Sequence, residues 1–448
     1  MPKEKRKNSG FTLVEMLIFI FIFSVISVTF YSTWTLGTRY IIFVKNRFTA
    51  LSLANEKMEV ARNLAYGKIA HTGSTPPGNI HQDEYVMHSG KEFHVRTRIR
   101  NVDDPLDGTL GGSPNDTDFI DYKNVRVEVS WDNDAGSVVL ASRFVPQGIE
   151  SSAANMGVLV VNVFSDQSGS NISGSTVQVT NSDTGFSETN NTDSFGRLML
   201  VGLLESNQKY KVTLVKNGYE AVETFPPYPN TGYNPTDMNT SVIKESVNTI
   251  SIIQNKLAAL SVKTSNYLGQ TAGNIKFYLK GGRKMGMEYA PPNDPVYKLD
   301  SHTETGSDGE KDFGSVSPGQ YEFVLEEPGY TIIGMDPISP ITLPSEQSIN
   351  INVKVSPNNE TALLVKIQKD ATNMIPGASV HLTNSNGYDT TITTGNDGMA
   401  FFPDVETPAF AEGEYDLSIT AVGYQDHSGK VNVSKNNLKV EEVIMLAS

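Results

Sequence analysis

A single carboxylate, that of Glu15, has the most unusual chemical setting in this sequence. It is the only charged side chain between Gly10 and Arg39, within a run of apolar and small polar residues. An ionised carboxylate in such surroundings costs a few kcal/mol and normally has a partner of opposite charge. Because the run holds no basic residue, we expect that positive charge to come from outside it.

The apolar run is long enough to cross a membrane. Residues 16–38 carry no charge, and at about 1.5 Å per residue they cover a ~30 Å bilayer core. Gly10, a small residue suited to cleavage, lies before the run, whereas a secretory signal peptide is cleaved after it. Cleavage there would leave the helix on the mature protein. The leader before Gly10 is basic, which predicts a cytoplasmic N-terminus and an external remainder; its basic residues are Lys3, Lys5, Arg6 and Lys7.

The string Gly10-Phe11-Thr12-Leu13-Val14-Glu15 after a basic leader resembles the type IV prepilin leader. The resemblance implies that residues 1–10 are removed by a prepilin peptidase, between Gly10 and Phe11, and that the new Phe11 amine is N-methylated. It also implies that Glu15 pairs with the N-terminal ammonium of a neighbouring subunit during filament assembly. The alternative is an ordinary N-terminal anchor with a carboxylate near the membrane surface.

The apolar helix is predicted to continue beyond the membrane and to carry a small sheet. We predict one helix over residues 11–68, transmembrane at 11–38 and amphipathic at 39–66. Spacings of three and four indicate one apolar face, made of Ile41, Val44, Phe48, Leu51, Ala54, Met58, Ala61 and Ala65. Residues 69–148 alternate apolar and polar side chains, which predicts a pilin-like antiparallel sheet on the helix. Its four predicted strands are Glu84–His88, Phe93–Val102, Lys123–Trp131 and Ser137–Val145.

Three repeats follow a predicted linker at 149–156, and they occupy residues 157–255, 256–356 and 357–448. Each contains an apolar first strand, a turn around an aspartate and two tyrosines nine residues apart. The turn aspartates are Asp193, Asp308 and Asp397, and the tyrosine pairs are Tyr210 and Tyr219, Tyr321 and Tyr330, and Tyr415 and Tyr424. Units of this length are domains rather than solenoid turns. The predicted fold class is therefore α+β followed by all-β, with three tandem β domains.

The third repeat shows the clearest likeness to a known domain family. Its Gly377–Val380 string, the Asp-Gly turn at Asp397 and the Gly413–Tyr415 and Gly423-Tyr424 pairs resemble carboxypeptidase regulatory-like, or transthyretin-like, domains. The first repeat departs most from this pattern. Ser194 and Phe195 are inserted between the turn aspartate and Gly196, and no glycine precedes Tyr210. The resemblance implies seven-stranded sandwiches of structural rather than catalytic use.

A loop rich in aspartate separates two of the predicted head strands. Hard carboxylate oxygens suit Ca²⁺, and some pseudopilins of type II secretion bind calcium in head loops. A solvated acidic turn is the alternative, since the spacing matches no fixed calcium loop. No cofactor other than calcium is predicted, and its candidate ligands are Asp103, Asp104, Asp107, Asp116, Asp118 and Asp121.

The remaining sequence does not indicate an enzyme. The seven histidines are scattered and there is no cysteine, so the usual zinc patterns are missing. The only phosphate-loop likeness, Gly281–Gly286, lacks the Gly-Lys-Ser/Thr ending and is interpreted as a loop of the second repeat. A formal charge of −14 argues against nucleic-acid binding.

These features predict a minor pilin-like subunit that displays sandwich domains for adhesion or partner binding. Its expected partners are prepilin peptidase, other pilin subunits, the assembly machinery, the membrane and an unidentified surface ligand. It would begin as a single-pass protein of the cytoplasmic membrane and end in an extracellular filament or at the cell surface. Two alternatives remain: a pseudopilin of a type II secretion or DNA-uptake apparatus, and a membrane-anchored binding protein that does not assemble.

Overall fold

A long N-terminal helix precedes a series of sheets in the computed structural model, which describes residues 13–72, 78–132, 134–146, 155–370, 373–403 and 410–448. The helix, α1, spans Leu13–Arg62 and is about 75 Å long at 1.5 Å per residue. A short 3₁₀ turn follows at Tyr66–Lys68. This arrangement confirms the predicted fold class of a long apolar helix followed by β structure. The predicted leader, with Gly10 and Phe11, lies outside the described residues.

The head is an antiparallel meander packed on the second half of α1. Its strands are β1 (Asp83–His88), β2 (Lys91–Val102), β3 (Tyr122–Trp131) and β4 (Gly136–Phe144). Alternation places Val125, Val127 and Val129 on the helix side, and all three are fully buried. An ion pair of 2.6 Å between Lys57 Nζ and Glu84 Oε2 also joins α1 to β1.

The packed face of α1 differs from the predicted face. The buried helix residues that form the head core are Ala50, Leu53, Ala54, Met58 and Ala61. Ala54, Met58 and Ala61 were predicted, but Ile41, Phe48 and Leu51 are exposed, so their assignment to that face was wrong. Small residues let the helix approach the sheet closely, and the sheet covers only the part of α1 after about residue 45. Apolar periodicity alone does not reveal where that cover begins.

The first repeat has nine strands in its sequence. They are β5 (Met156–Phe164), β6 (Thr176–Asn181), β7 (Phe186–Asn191), β8 (Arg197–Leu204), β9 (Ser206–Val215), β10 (Val222–Glu223), β11 (Tyr233–Pro235), β12 (Thr240–Val242) and β13 (Val247–Ile253). Eight of these strands, all except β11, form two sheets around the repeat's own core. One sheet has the order β13-β5-β8, and the facing sheet has the order β10-β9-β6-β7 with β12 beside β9. The apolar residues between these sheets form one continuous core.

The second and third repeats have the same two-layer arrangement. The strands of the second are β14 (Ala258–Ser265), β15 (Lys276–Glu288), β16 (Pro295–Glu304), β17 (Glu310–Val316), β18 (Gly319–Leu325), β19 (Tyr330–Asp336), β20 (Ile341–Leu343) and β21 (Ser348–Pro357). Those of the third are β22 (Ala362–Asp370), β23 (Asn373–Met374), β24 (Ser379–Thr383), β25 (Asp389–Thr393), β26 (Met399–Phe402), β27 (Gly413–Thr420), β28 (His427–Val433) and β29 (Leu438–Ile444). Each repeat encloses a separate hydrophobic core.

The first tyrosine of each repeat is buried in the same way in all three sandwiches. Tyr210, Tyr321 and Tyr415 are at most 1% exposed. Each hydroxyl donates to a backbone carbonyl a few residues upstream: to Leu204 at 2.8 Å, to Ser317 at 2.6 Å and to Ala411 at 2.8 Å. A buried hydroxyl needs such a partner. The tyrosine therefore anchors the loop that precedes its strand.

The head and the first repeat share a sheet. β2 pairs with β8 at Asn101 and Val201, which extends the order to β13-β5-β8-β2-β3-β4. Beside this contact, Leu110, Phe119 and Ile120 of the acidic loop pack against Val158 and Val201 of the first repeat. Most of the predicted linker at 149–156 lies outside the described residues, and the chain beyond it returns to the head through this sheet.

Candidate functional site

The first part of α1 presents an uncovered apolar surface. Its large apolar side chains from Leu13 to Ile42 each expose half or more of their surface. By length and composition, the described helix from Met16 to Arg62 can cross a membrane. Glu15 has its backbone in this helix. We call residues 13–42 the exposed helix segment; its surface can bury itself in lipid or against apolar helices of other molecules.

The acidic loop brings three of the six candidate calcium ligands together. Carboxylate oxygens of Asp107, Asp116 and Asp121 lie within 4.8 Å of one another. Oδ2 of Asp116 and Oδ1 of Asp121 are buried and have no hydrogen-bond partner among the described residues. Such oxygens suit a hard cation. The other three candidates, Asp103, Asp104 and Asp118, lie outside this cluster.

Electrostatics in the acidic loop favour neutralisation of the carboxylates. Burial raises the pKa of Asp103 and that of Asp121, and nearby carboxylates, Asp107 and Asp116 among them, raise both further. Backbone donors oppose this increase, since Leu110 N donates to Asp103 Oδ2 at 3.1 Å and Asp104 N donates to Asp121 Oδ2. The three clustered residues fit a divalent cation, which would supply charge compensation and hold the loop. Calcium binding remains a prediction.

A cavity of 530 Å³ lies where the head meets the first repeat. Lys123 Nζ donates to the carbonyls of Tyr66 at 3.1 Å and Ile69 at 2.8 Å, and burial lowers its pKa to about 8. Burial, with Asp121, raises the pKa of Tyr66 to about 12. Glu188 faces the same space, and burial raises its pKa although Arg100 and Arg98 oppose the change. The cavity therefore contains both basic and acidic groups beside apolar walls. It was not predicted, because its residues are far apart in sequence.

The junction between the first and second repeats is built by a buried cation. Arg283 donates to Glu220 Oε1 at 2.9 Å, to Asp237 Oδ2 at 2.7 Å and to the carbonyl of Ile253 at 2.9 Å. The side chains of Arg283 and Glu220 are only 11% and 1% exposed. This set of contacts crosses from one repeat to the next, so it fixes their relative placement.

Strand pairing reinforces that junction. β11, which belongs to the first repeat by sequence, pairs antiparallel with β15 of the second. The predicted loop Gly281–Gly286 is thus part of a strand, and that interpretation was wrong. A Cβ at Gly286 would lie 2.2 Å from the carbonyl oxygen of Asn234, so glycine is required by the approach of β11 rather than by a phosphate.

The junction between the second and third repeats is mainly apolar. Ile333 of the second repeat packs with Leu364, Phe401 and Leu438 of the third. Polar contacts also cross it: Thr331 Oγ1 donates to Asn358 Oδ1 at 2.7 Å, and Met335 N donates to Asp397 Oδ2 at 2.7 Å. Oδ1 of the same aspartate accepts from Met399 N at 3.1 Å, as expected for a turn residue. Asp397 therefore serves its own turn and the neighbouring domain at once.

Comparison with known proteins identifies the N-terminal segment. Residues 5–31 match the prokaryotic N-terminal methylation motif. The chain thus carries a prepilin-type methylation motif, followed by β-sandwich domains. The motif and the exposed helix segment together indicate a membrane-anchored, pilin-like protein. No curated protein sequence matches the chain.

Several solved structures, most of them of pilins, show partial likeness. The Bacillus anthracis TIE protein is 14% identical over 72% of this chain, with a TM-score of 0.20, and this chain spans 60% of its length. The streptococcal ancillary pilin is 13% identical over 65% of this chain and 99% of its own, with a TM-score of 0.20. BcpA, the major pilin subunit of Bacillus cereus, is 12% identical over 65% of this chain and 99% of its own, with a TM-score of 0.16. Scores this low carry no inference about function.

Proposed function

We propose that this chain is a minor type IV pilin-like subunit, processed by a prepilin peptidase and assembled through its N-terminal helix. The peptidase would cut between Gly10 and Phe11, and the Phe11 amine would be methylated. Glu15 would pair with the N-terminal ammonium of a neighbouring subunit. The observation that carries the proposal is the methylation motif at residues 5–31, which overlaps the start of a helix with an uncovered apolar surface.

The exposed helix segment is compatible with assembly as well as with anchoring. Serine and threonine hydroxyls along it donate to carbonyls one turn back, for example Thr33 and Thr38 at 2.8 and 2.9 Å. These groups are satisfied within the helix, so apolar contact and Glu15 remain as the means of attraction between subunits in a lipid or helical-bundle setting. The helix therefore suits a core formed by several copies.

The domains beyond the helix support a minor position and a display role. Three sandwiches on every subunit would crowd a helical fibre, whereas a subunit at its tip or at rare positions has room for them. Adhesion or partner binding is the output that we assign to these domains. Calcium bound by Asp107, Asp116 and Asp121 would stabilise the head from which they extend.

Mass spectrometry of the N-terminus of the protein purified from its native cells tests the proposal. We expect a mature chain that begins with N-methylated Phe11, and an intact leader would refute it. A variant Gly10→Val should accumulate as the precursor, because a branched side chain fills the cleavage position. Immunolabelling of sheared filaments then distinguishes a filament subunit from a monomeric anchor, and secretion assays distinguish a pseudopilus.

A further inference from the structure

The first and last strands of each sandwich are neighbours and run parallel. β5 pairs with β13 from Val158 to Phe164, β14 pairs with β21 from Ala259 to Ser265, and β22 pairs with β29 from Ala362 to Gln368. Each of these pairings is seven residues long and has no register shift. The same arrangement thus recurs three times, although the loops between these strands differ widely in length and structure.

Parallel pairing determines how a pulling force would act on each domain. The chain enters the first strand at one end of the pairing and leaves the last strand at the opposite end. Tension along the chain therefore slides the two strands past each other, and all of the inter-strand hydrogen bonds resist together. Had the two strands been antiparallel, entry and exit would lie at the same end, and the bonds would break one after another. Forced unfolding depends on this barrier rather than on equilibrium stability.

The first strand of each domain is also held on its other side. β5 pairs with β8, β14 with β17 and β22 with β26, all antiparallel. A first strand can therefore not slide out without breaking two sets of backbone hydrogen bonds. Because these strands also carry buried core residues, such as Leu159, Leu260 and Leu363, sliding would move apolar side chains out of their packing.

The connections between consecutive domains are short, so a pulling force passes directly from one domain to the next. β13 ends at Ile253 and β14 begins at Ala258, while β21 ends at Pro357 and β22 begins at Ala362. The first connection is itself anchored, since Gln254 N donates to the carbonyl of Phe164 at 2.9 Å and Asn255 N donates to Glu220 Oε1 at 3.1 Å. Pulling therefore loads the paired strands directly instead of first extending a loose connector.

We propose that the three sandwiches form a tension-bearing rod, in which the parallel pairing of first and last strands is the element that resists unfolding in every domain. Its use rests on the proposed function, since an N-terminal anchor and a distal attachment are needed for tension to arise. The mechanical property itself belongs to the domains and can be measured whether or not the chain enters a filament.

The test pulls the third sandwich of the full chain in two directions in a single-molecule instrument. The sequence has no cysteine, so an introduced pair gives two unique attachment points. Asn359→Cys with Ser448→Cys pulls across β22 and β29 in the sliding direction. Glu412→Cys with Lys435→Cys pulls the open ends of β27 and β28 apart, one bond at a time, since these strands are antiparallel. All four positions are exposed.

We expect the sliding geometry to unfold the domain at a force roughly twofold or more above that of the opening geometry. Full extension of the 88 residues between the first pair should lengthen the tether by ~300 Å. Equal forces in the two geometries would overturn the proposal. Thermal unfolding of each double variant before pulling checks that both retain the native fold. If the sliding geometry shows the expected higher force but the leader is never cleaved in cells, only the proposed function is refuted.

Discussion

Two kinds of contact surface contrast in this protein: the exposed helix segment and the junctions between the sandwiches. The helix segment leaves its large apolar side chains uncovered and has one carboxylate in its sequence, Glu15. At the first junction, by contrast, Arg283 finds Glu220, Asp237 and a carbonyl within the same chain. The junction makes its contacts within one copy of the chain, whereas the apolar surface of the helix segment is left for other molecules to cover.

This difference indicates which of the two surfaces can make assembly depend on other copies of the chain. A buried charge that is paired within its own chain contributes to a fixed shape at any protein concentration. A charge in an apolar surface whose partner comes from another copy, as we propose for Glu15, would make the free subunit unfavourable and the assembled one favourable. Glu15 and Arg283 are thus both candidates for controlling geometry, one between subunits and one within a subunit.

The largest effect that separates the two surfaces is expected at Glu15. The change Glu15→Ala removes the proposed partner of a neighbouring N-terminus, so incorporation into filaments should fall by roughly tenfold or more, as a loss of a few kcal/mol implies. Cleavage of the leader should be unaffected. Quantitative immunoblots of sheared filaments and of membranes measure both.

Glu59→Ala is the matched control for that experiment. Glu59 is an exposed helix residue paired with Arg62 in the part of α1 that bears the head. Its replacement should leave incorporation within experimental error of the unaltered protein. If both variants assemble normally, Glu15 has no part in assembly and the contrast between the surfaces fails.

The next largest effect is expected at the first junction. The change Arg283→Met leaves the buried Glu220 carboxylate without its cationic partner, which should cost about 3–5 kcal/mol at the junction. Hydrogen exchange at Thr236, whose amide donates to Met285 O at 2.8 Å, reports opening of the β11–β15 contact. Its protection should fall roughly a hundredfold or more. Lys284→Met, an exposed neighbour on the same strand, should change it little, and equal loss in both variants would contradict the assignment.

A smaller effect is expected at the second junction. Asp397→Asn preserves an acceptor for the turn at Oδ1 but replaces the oxygen that accepts from Met335 N by a donor. The cost should be about 1–3 kcal/mol, seen as faster exchange at Leu438, whose amide bonds to Asn358 O. Asp308→Asn, at the corresponding turn of the second repeat, is the control. A loss of equal size there would mean that the turn, not the junction, is responsible.

The smallest effect is expected in the acidic loop, because its carboxylates are partly exposed to solvent. The folded-state pKa values of Asp103 and Asp121 are raised, so the folded loop binds protons more readily than the unfolded chain. Its stability should therefore fall as pH rises from the ordinary carboxyl pKa through the raised values. Amide protection at Asp104 and Leu110, corrected for intrinsic exchange, measures this.

Calcium sharpens the same experiment. At neutral pH, Ca²⁺ should restore the protection that protonation gives at low pH, and Asp116→Asn should weaken that response. Asp118→Asn lies outside the cluster and should respond to Ca²⁺ as the unaltered protein does. Protection that is independent of Ca²⁺ in all three proteins would support the alternative of a solvated acidic turn.

Much of the fold could be predicted because local patterns and repetition are strong. The four head strands were placed within two residues of their observed ends, since alternation in stretches such as Val125–Trp131 directly encodes one buried face. The nine-residue spacing of tyrosines identified three related units, and each first tyrosine makes the same kind of buried hydrogen bond to an upstream carbonyl. Such features depend on neighbouring residues in sequence.

The acidic loop shows the limit of such prediction. Its six aspartates were recognised as a group, but composition could not select Asp107, Asp116 and Asp121, because the turn geometry between them decides which oxygens meet. The prediction of the buried face of α1 was wrong in part for a similar reason. The edge of the covering sheet, and not the helix period, determines which apolar residues of the helix become part of the core.

By itself, the sequence determined the prepilin-type N-terminus, the long apolar helix and the series of β domains. Charge and hydropathy act along the chain, so a membrane-compatible run with one carboxylate is evident without folding. Tertiary structure alone decided that the head shares a sheet with the first repeat, that β11 joins the second repeat, and that the first and last strands of each sandwich run side by side. These contacts join residues up to about a hundred positions apart, and backbone hydrogen bonds leave no signature in residue type at such distances.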